Sequence, residues 1–303
     1  MKPPTPAQVR ALQTKIMASP TYAKAYKDLD FLDREELRPI RLQLELLKPE
    51  MALAELDVRS TIVVFGSARI DSPEEAKAKL AVAQAKARRA PRDRKAAAAL
   101  AHAGRMVQRA RYYDGRFGEM VTRASQADKR RDFVIVTGGG PGIMEAANRG
   151  AWEAKGKSIG LNITLPHEQA PNPYITPELS FQFHYFALRK MHFLMRAKAM
   201  VAFPGGFGTF DELFETLTLI QTGKKHAIPI ILFGPDFWKK VVNFEYLAHE
   251  GVISHADLAL FKYVETAEQA WKVIQDFWRA KGGIGARRRK TVTSGHVEEE
   301  DAR

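Results

Sequence analysis

The sequence contains no cysteine among its 303 residues. Disulfide frameworks and thiolate chemistry are therefore excluded, and this composition fits a reducing compartment. No apolar run approaches the ~18 residues that a membrane-spanning helix needs. The first residues, MKPPTPAQVRALQTK, also lack the apolar core of a signal peptide. We therefore expect a cytoplasmic protein with no membrane partner.

Patterns that bind metal ions are nearly absent as well. One adjacent pair, His167 and Glu168, stands in a proline-rich stretch at 165–177. Zinc sites use sets such as H-E-x-x-H or paired Cys and His residues, and the sequence contains neither. We therefore expect no metal site.

The chain carries an excess of positive charge. The formal net charge is +12, and residues 86–131 hold 14 Lys and Arg against 4 Asp and Glu. This segment could bind nucleic acid. The other interpretation is a solvated helical face or a surface insertion, and we favour it because few aromatic residues interleave with the charges.

The alternation of short apolar runs with helical patterns predicts a doubly wound parallel α/β sheet. A β-branched run at 61–65 and short runs at 133–136, 158–163, 228–233 and 261–264 predict strands. Residues 178–199 predict one long apolar helix. We expect a helical extension at 1–58, a nucleotide-binding domain at 59–281 with a basic helical insertion at about 86–131, and a disordered charged tail at 282–303. The extension would cap the domain or form an oligomer surface.

The stretch Val201–Leu213, which reads VAFPGGFGTFDEL, is the most informative part of the chain. A strand, a glycine turn and a helix in succession aim free backbone N–H groups at an anion. Glycines also let a phosphate approach the backbone closely. The pattern predicts a phosphate cradle at 205–209 with a carboxylate, Glu212, one helical turn further on. The alternative is a capping box, in which Thr209 and Glu212 only satisfy backbone donors.

A second strand, glycine turn and helix follow the same order at 133–154. The turn, TGGGPG, differs from the dinucleotide fingerprint and from a Walker loop, and Glu145 stands in the first turn of its helix. Glu145 could accept a hydrogen bond from a ligand or only complement the helix dipole. The strand at 61–65 also ends in small residues, Gly66-Ser67, so three strands end in such turns. If these strands are neighbours, the turns converge on one pocket that suits a nucleotide or sugar phosphate.

These residues together resemble the LONELY GUY family of nucleoside 5′-monophosphate phosphoribohydrolases, also called lysine decarboxylase-like. The family motif P-G-G-x-G-T-x-x-E is matched at 204–212 and G-G-G-x-G-x-M-E at 138–145. An Arg-Lys pair stands at 189–190, and the early Gly-Ser turn at 66–67. The resemblance spans about residues 60–280 and looks like the longer bacterial form. It implies a Rossmann-like fold, a purine nucleoside monophosphate substrate and at least a homodimer.

The activity implied by the resemblance is hydrolysis of an N-glycosidic bond, which gives a free base and ribose 5-phosphate. AMP and cytokinin riboside monophosphates are the implied substrates, and Glu212 and Arg189 the implied catalytic residues. The implied substrate-binding residues are Gly205, Gly206, Gly208, Thr209, Lys190, Glu145, Gly139, Gly140 and Ser67. We expect no cofactor, because a pyridoxal enzyme needs a Schiff-base lysine with a partner for the pyridine nitrogen, and only Lys190 is available in the motifs. The alternative is a nucleotide or cofactor carrier that uses the same glycine turn without catalysis.

Overall fold

The computed structural model describes residues 3–126, 131–164 and 170–282. His167, Glu168 and residues 283–303 lie outside the described residues, so the expectations for the metal-like pair and for the tail stay predictions. Within the described ranges, no helix is both long enough and apolar enough to cross a bilayer.

Seven parallel strands form one sheet in the order β4-β3-β2-β1-β5-β6-β7. The strands are β1 (Thr61–Phe65), β2 (Val134–Thr137), β3 (Ser158–Ile163), β4 (Ser180–Phe183), β5 (Ala197–Ala202), β6 (Ile230–Phe233) and β7 (Phe261–Val264). The direction of winding reverses between β1 and β5, which is the switch point where ligands bind such sheets. The predicted doubly wound parallel sheet is therefore confirmed.

Helices cover both faces of the sheet. They are α1 (Pro6–Met17), α2 (Leu29–Leu32), α3 (Arg38–Glu55), α4 (Pro73–Arg89), α5 (Arg94–Arg109), α6 (Arg116–Ser125), α7 (Ile143–Glu153), α8 (Phe186–Met195), α9 (Phe207–Gln221), α10 (Pro235–Val241), α11 (Phe244–His249) and α12 (Ala267–Ala280). Successive strand residues face opposite sides, so each side of the sheet has its own apolar core. Val63 and Phe65 pack on the side of α3, α8 and α9, whereas Ile62 and Val64 pack on the side of α6, α7 and α12.

The prediction of one long helix at 178–199 is wrong. The segment forms the edge strand β4, the helix α8 and the start of β5. Residues 180–183 alternate between exposed and buried, with Phe181 and Phe183 inward, which is the two-residue period of a strand. The alternation covers only four residues, too few to stand out beside the apolar helix that follows.

The basic segment is not wholly the solvated surface that its charge suggested. Helix α6 buries Phe117 and Val121 against the sheet and packs against α7. Part of the charge is also neutralised, since Arg111 pairs with Asp236 and Arg116 with Glu268. The periodic apolar residues of α6 give it a buried face despite its basic composition.

Candidate active site

The turns after β1, β2 and β5 meet at the carboxyl edge of the sheet. Ser67 joins them, because its N–H donates to the Pro204 carbonyl at 3.0 Å and its carbonyl accepts from the Ile143 N–H at 3.2 Å. Gly142 has a φ of +70°, and a Cβ there would lie 2.4 Å from the Ser67 carbonyl oxygen. This close approach explains the glycine at 142, and the predicted convergence of the turns is observed.

A cavity of about 1040 Å³ opens at this convergence. Seven of the predicted site residues line it: Ser67, Arg189, Gly205, Gly206, Gly208, Thr209 and Glu212. Four others do not line it: Gly139, Gly140, Glu145 and Lys190. The sequence motifs therefore divide into residues that face the cavity and residues that build its frame.

The turn after β5 contains glycines of two kinds. A Cβ on Gly205 would lie 2.1 Å from the hydroxyl oxygen of Thr209, so the packing of the protein itself requires glycine there. A Cβ on Gly206 or Gly208 would meet nothing within 4 Å. Those two positions line the cavity, and the amides of Phe207 and Gly208 precede the first hydrogen bonds of α9, at the helix end that favours anions. The turn thus has the shape of an anion cradle.

The capping-box interpretation of Thr209 and Glu212 is wrong. Helix α9 begins at Phe207 with Gly206 as its N-cap and with no side-chain cap. Thr209 is therefore the third residue of the helix and Glu212 the sixth, whereas a capping box needs the cap residue and the third. The helix starts earlier than the spacing suggested because Gly206 accepts the N–H groups of Thr209 and Phe210 at its carbonyl.

Glu212 is a buried carboxylic acid, with 5% of its surface exposed. Among the described residues, its Oε2 has no hydrogen-bond partner. Burial raises its pKa to about 7, and the nearby cations Lys190 and Arg189 oppose that rise. A buried polar oxygen without a partner is costly for folding, and a carboxyl group with a pKa near neutrality is suited to proton transfer.

Arg189 lies in α8, is half-buried and lines the cavity. Its Nε donates to the Leu161 carbonyl at 2.8 Å, and its guanidinium lies 5.3 Å from the centre of the Phe193 ring. Burial lowers its pKa, and the charge of Glu212 opposes that effect. Glu212 and Arg189 are thus an acid and a cation that influence each other at the wall of one cavity.

Lys190 does not line the cavity and joins α8 to α9. Its Nζ lies 2.8 Å from Asp211 Oδ2 and 3.0 Å from Glu215 Oε2. Burial lowers its pKa, but the bonds to these carboxylates outweigh that effect, and the pKa lies above its usual value. A Schiff-base lysine must lose its proton, so this environment does not fit a pyridoxal cofactor.

Polar side chains that the sequence did not single out hold the second glycine turn. The Asn172 amide donates to the carbonyls of Gly139 and Gly140 at 3.2 and 3.1 Å and to Asn148 Oδ1 at 3.0 Å. The Thr137 hydroxyl donates to the same Asn148 oxygen and accepts the Gly139 N–H. Gly139 and Gly140 are therefore tied into a buried network.

Glu145 is engaged by the basic segment. The Tyr113 hydroxyl donates to Glu145 Oε1 at 2.8 Å, and burial together with this bond raises the pKa of Tyr113. Helix α5 also supplies His102, Met106 and Arg109 to the cavity wall. Sequence reasoning missed these three residues, and no motif could have identified them.

Comparison with known proteins bears on the same residues. A family model described as possible lysine decarboxylase matches residues 144–274, a range that includes Arg189 and the turn after β5. The predicted family resemblance is confirmed. A cytokinin riboside 5′-monophosphate phosphoribohydrolase of Arabidopsis thaliana is 25% identical over 158 residues, which are 51% of this chain and 72% of that protein.

Three further similarities cover different shares of the chains that are compared. The pyrimidine/purine nucleotide 5′-monophosphate nucleosidase of Escherichia coli is 29% identical over 159 residues, 47% of this chain but only 34% of that protein. A molybdenum cofactor carrier protein from Chlamydomonas reinhardtii has a TM-score of 0.42 and 17% identity, over 74% of this chain and 99% of that structure. The molybdenum cofactor binding protein of Rippkaea orientalis has the same TM-score at 16% identity, over 73% of this chain and 98% of that structure.

Proposed function

We propose that the protein hydrolyses the N-glycosidic bond of a purine nucleoside 5′-monophosphate, AMP or a cytokinin riboside monophosphate, to free base and ribose 5-phosphate. The observation that carries the proposal is Glu212: a buried carboxyl group with an unpartnered oxygen, in one cavity with an anion cradle and Arg189. The names of the similar proteins from Arabidopsis thaliana and Escherichia coli describe the same class of reaction.

The cradle would hold the 5′-phosphate. The first-turn amides of α9 and the open space at Gly206 and Gly208 suit an anion that comes close to the backbone. Gly205 would give the turn its shape, and Thr209 would line the phosphate site. Ser67, at the junction of the three turns, would contact the sugar.

Glu212 would act on the ribose. Cleavage of the bond to the base leaves positive charge on the sugar ring, as in glycoside hydrolysis. The ionised carboxylate would stabilise that charge and take a proton from the attacking water, whose oxygen forms the new bond to the sugar carbon. Arg189, with its fixed fork of donors, would hold the phosphate or stabilise the departing base.

Four of the predicted binding residues would serve the site indirectly. Lys190 would fix α8 against α9, and Gly139 and Gly140 would shape the second turn through Asn172. Glu145 does not line the cavity, and its Oε1 accepts the Tyr113 hydroxyl, so we propose that Glu145 supports the wall rather than the substrate.

The test is a panel of nucleoside monophosphates, with release of base and ribose 5-phosphate followed by chromatography. We expect release from AMP by the wild type, and a loss of at least about a thousandfold in Glu212→Gln, which keeps shape but cannot take a proton. The value of kcat/KM should rise with pH to a plateau above about 7, since the carboxylate is the active form and its pKa is about 7. Binding of AMP without release in the wild type would support a carrier instead.

We also propose that the protein acts as a homodimer or larger homo-oligomer. Large apolar side chains on the helical extension are exposed, among them Leu12 at 56% and Ile16 at 59%. Both residues lie in α1, which buries no residue, and a helix as short as α1 is marginally stable in water by itself. Light scattering coupled to gel filtration should give a mass at least twice the 34.0 kDa of the chain. A mass of one chain would contradict this.

A further inference from the structure

Helix α8, which carries Arg189, begins without a side-chain cap of its own. Its N-cap residue is Tyr185. The carboxylate of Glu45, which lies in α3 far away in the sequence, instead binds the backbone amides next to this helix start. Glu45 Oε1 accepts the His184 N–H at 2.8 Å, and Glu45 Oε2 accepts the Tyr185 N–H at 3.2 Å. A carboxylate at this end pairs amides beside the helix start and complements the helix dipole.

Other contacts fix the same two helices along their length. Arg41 Nε donates to the Tyr185 hydroxyl at 3.3 Å, and the ring Nε2 of His192 lies 3.3 Å from the Glu45 carbonyl oxygen. Beyond the end of α8, Arg196 pairs with Glu50. Helix α3 therefore holds α8 at its start, in its middle and at its end.

Arg189 is sensitive to the position of this helix start. Its backbone N–H donates to the Tyr185 carbonyl at 3.2 Å, so Arg189 lies one turn inside the amides that Glu45 holds. Its guanidinium is fixed by the Leu161 carbonyl and covered by the Phe193 ring. A shift of α8 would move the guanidinium relative to Glu212, and a misplacement of 1 Å can lower a rate by about a hundredfold.

We propose that Glu45 is a positioning residue for Arg189, and that α3 of the helical extension is thereby part of the machinery of the site. Glu45 does not line the cavity. Its carboxylate holds the amides of His184 and Tyr185 just before α8, and this helix start places the guanidinium of Arg189 beside Glu212. The expected effect of Glu45 on kcat rests on the proposed function, whereas its effect on the position of Arg189 does not.

The experiment compares Glu45→Ala and Glu45→Gln with a matched control, Glu55→Gln, at an exposed position of the same helix. We expect Glu45→Ala to lower kcat for base release from AMP at least about tenfold, with a smaller change in KM, because the reacting geometry is disturbed more than the phosphate cradle. Glu45→Gln keeps one acceptor oxygen and should recover part of the loss. Glu55→Gln should match the wild type.

A second readout needs no substrate. The Nε–H of Arg189, bonded to Leu161, should give a slowly exchanging side-chain resonance in ¹⁵N-arginine spectra, assigned by its absence in Arg189→Lys. We expect fast exchange or broadening of this resonance in Glu45→Ala and no change in Glu55→Gln. If Glu45→Ala does not fold, Glu45→Gln should show the same changes in smaller measure.

The outcomes separate this proposal from the proposed function. If the wild type releases no base, the proposed function fails, and the Arg189 resonance alone decides the role of Glu45. If both Glu45 variants keep wild-type kcat and a slowly exchanging Arg189 Nε–H, the positioning role is overturned. A loss of stability in Glu45→Ala without a change in kcat or in the resonance would likewise overturn it and leave a structural cap only.

Discussion

Gly206 and Gly208 lack a packing reason to be glycine. Neither has a neighbour within 4 Å of a Cβ position, and neither has a positive φ. Glycine inside a helix costs up to about 1 kcal/mol relative to alanine, so Gly208 lowers the stability of α9 without any contact in return. Gly208 lines the cavity, so its missing side chain leaves space there. A ligand bound in that space would explain why a residue that lowers the stability of the helix stands at this position.

Gly208→Ala should therefore separate stability from binding. We expect the free energy of unfolding to stay the same or rise by up to about 1 kcal/mol, because alanine favours the helix. The affinity for AMP should fall at least about tenfold, since the added methyl group blocks the approach of the phosphate to the backbone. Urea unfolding and calorimetric titration with AMP measure the two effects.

Gly205→Ala is the matched control and should behave in the opposite way. Its Cβ would clash with Thr209, which is buried, so we expect a loss of about 1–3 kcal/mol of stability. If Gly208→Ala bound AMP as tightly as the wild type, the cradle would not be where the phosphate binds.

The Glu212 carboxyl should make stability depend on pH. Its pKa is raised from 4.5 to about 7 in the folded protein. A raised carboxyl pKa means that its contribution to stability is fully present below about pH 4.5 and is lost as the pH rises through about 7. Glu212→Gln carries no ionisable group, so we expect it to be more stable than the wild type at pH 8 by about 2 kcal/mol, and little different at pH 5.

Urea unfolding at pH 5 and pH 8 checks this expectation. Glu74→Gln, at an exposed position in the first turn of α4, serves as the control and should show no such change between the two pH values. A stability difference between Glu212→Gln and the wild type that stayed constant with pH would mean that the carboxyl is not desolvated in the folded protein.

Sequence reasoning reached only part of the site. The turn at 205–209 and Glu212 stand in one continuous motif, so local chemistry identifies them. The role of Thr209 with Glu212 as a cap could not be excluded, because the first residue of a helix is set by the backbone and not by spacing alone. Asn148, Asn172, Met106 and Arg109 belong to no motif, and only tertiary packing brings them to the turns.

Close contact between α6 and α7 decides how the basic segment is built into the fold. A Cβ on Gly150 would lie 1.9 Å from the Gly115 carbonyl oxygen, and one on Gly118 would lie 2.3 Å from the Ala147 carbonyl oxygen. Glycines on both sides thus let the two backbones touch. The charge of the segment predicted a surface element because most residues of these helices lie on the exposed face and dominate the composition. The narrow face that packs contributes few residues to that count.

Gly150→Ala should therefore destabilise the protein. The added methyl group meets backbone atoms, which cannot rotate away, so we expect a loss of about 1–3 kcal/mol or more. Gly104→Ala in α5 is the control, since a Cβ there would meet nothing within 4 Å. It should be neutral or stabilising by up to about 1 kcal/mol. Thermal unfolding measures both, and equal melting temperatures for the two variants would contradict the close helix contact.

The strands were more predictable than the helices that connect them. Buried parallel strands such as β1 read as continuous β-branched runs, and their positions follow from the sequence. The edge strand β4 has only four residues and a polar face, so its signal was lost in the apolar helix α8 beside it. Neither the order of the strands nor their register follows from these runs, because both depend on contacts between segments that are far apart in the chain.

The expected boundary at residue 58 concerns the whole molecule and stays a prediction. Helix α3 buries Pro49 and Leu53, contributes Leu53 to the core, and joins α8 through Glu45. Helix α1, in contrast, buries no residue. These contacts favour a folding unit that includes α3 and excludes α1, although both helices precede the expected boundary.

Two truncations test where the folding unit begins. Removal of residues 1–23 deletes α1, which buries no residue, so we expect the remaining chain to stay folded and AMP turnover per chain to persist. Removal of residues 1–58 also deletes α3, exposes the core around the missing Leu53 and leaves the start of α8 without its carboxylate. Loss of one buried leucine side chain costs about 2–5 kcal/mol, so we expect this chain to unfold at low urea or to be insoluble. If the chain that begins at residue 59 were as stable as the full protein, α3 would be an appendage and the boundary at 58 would be correct.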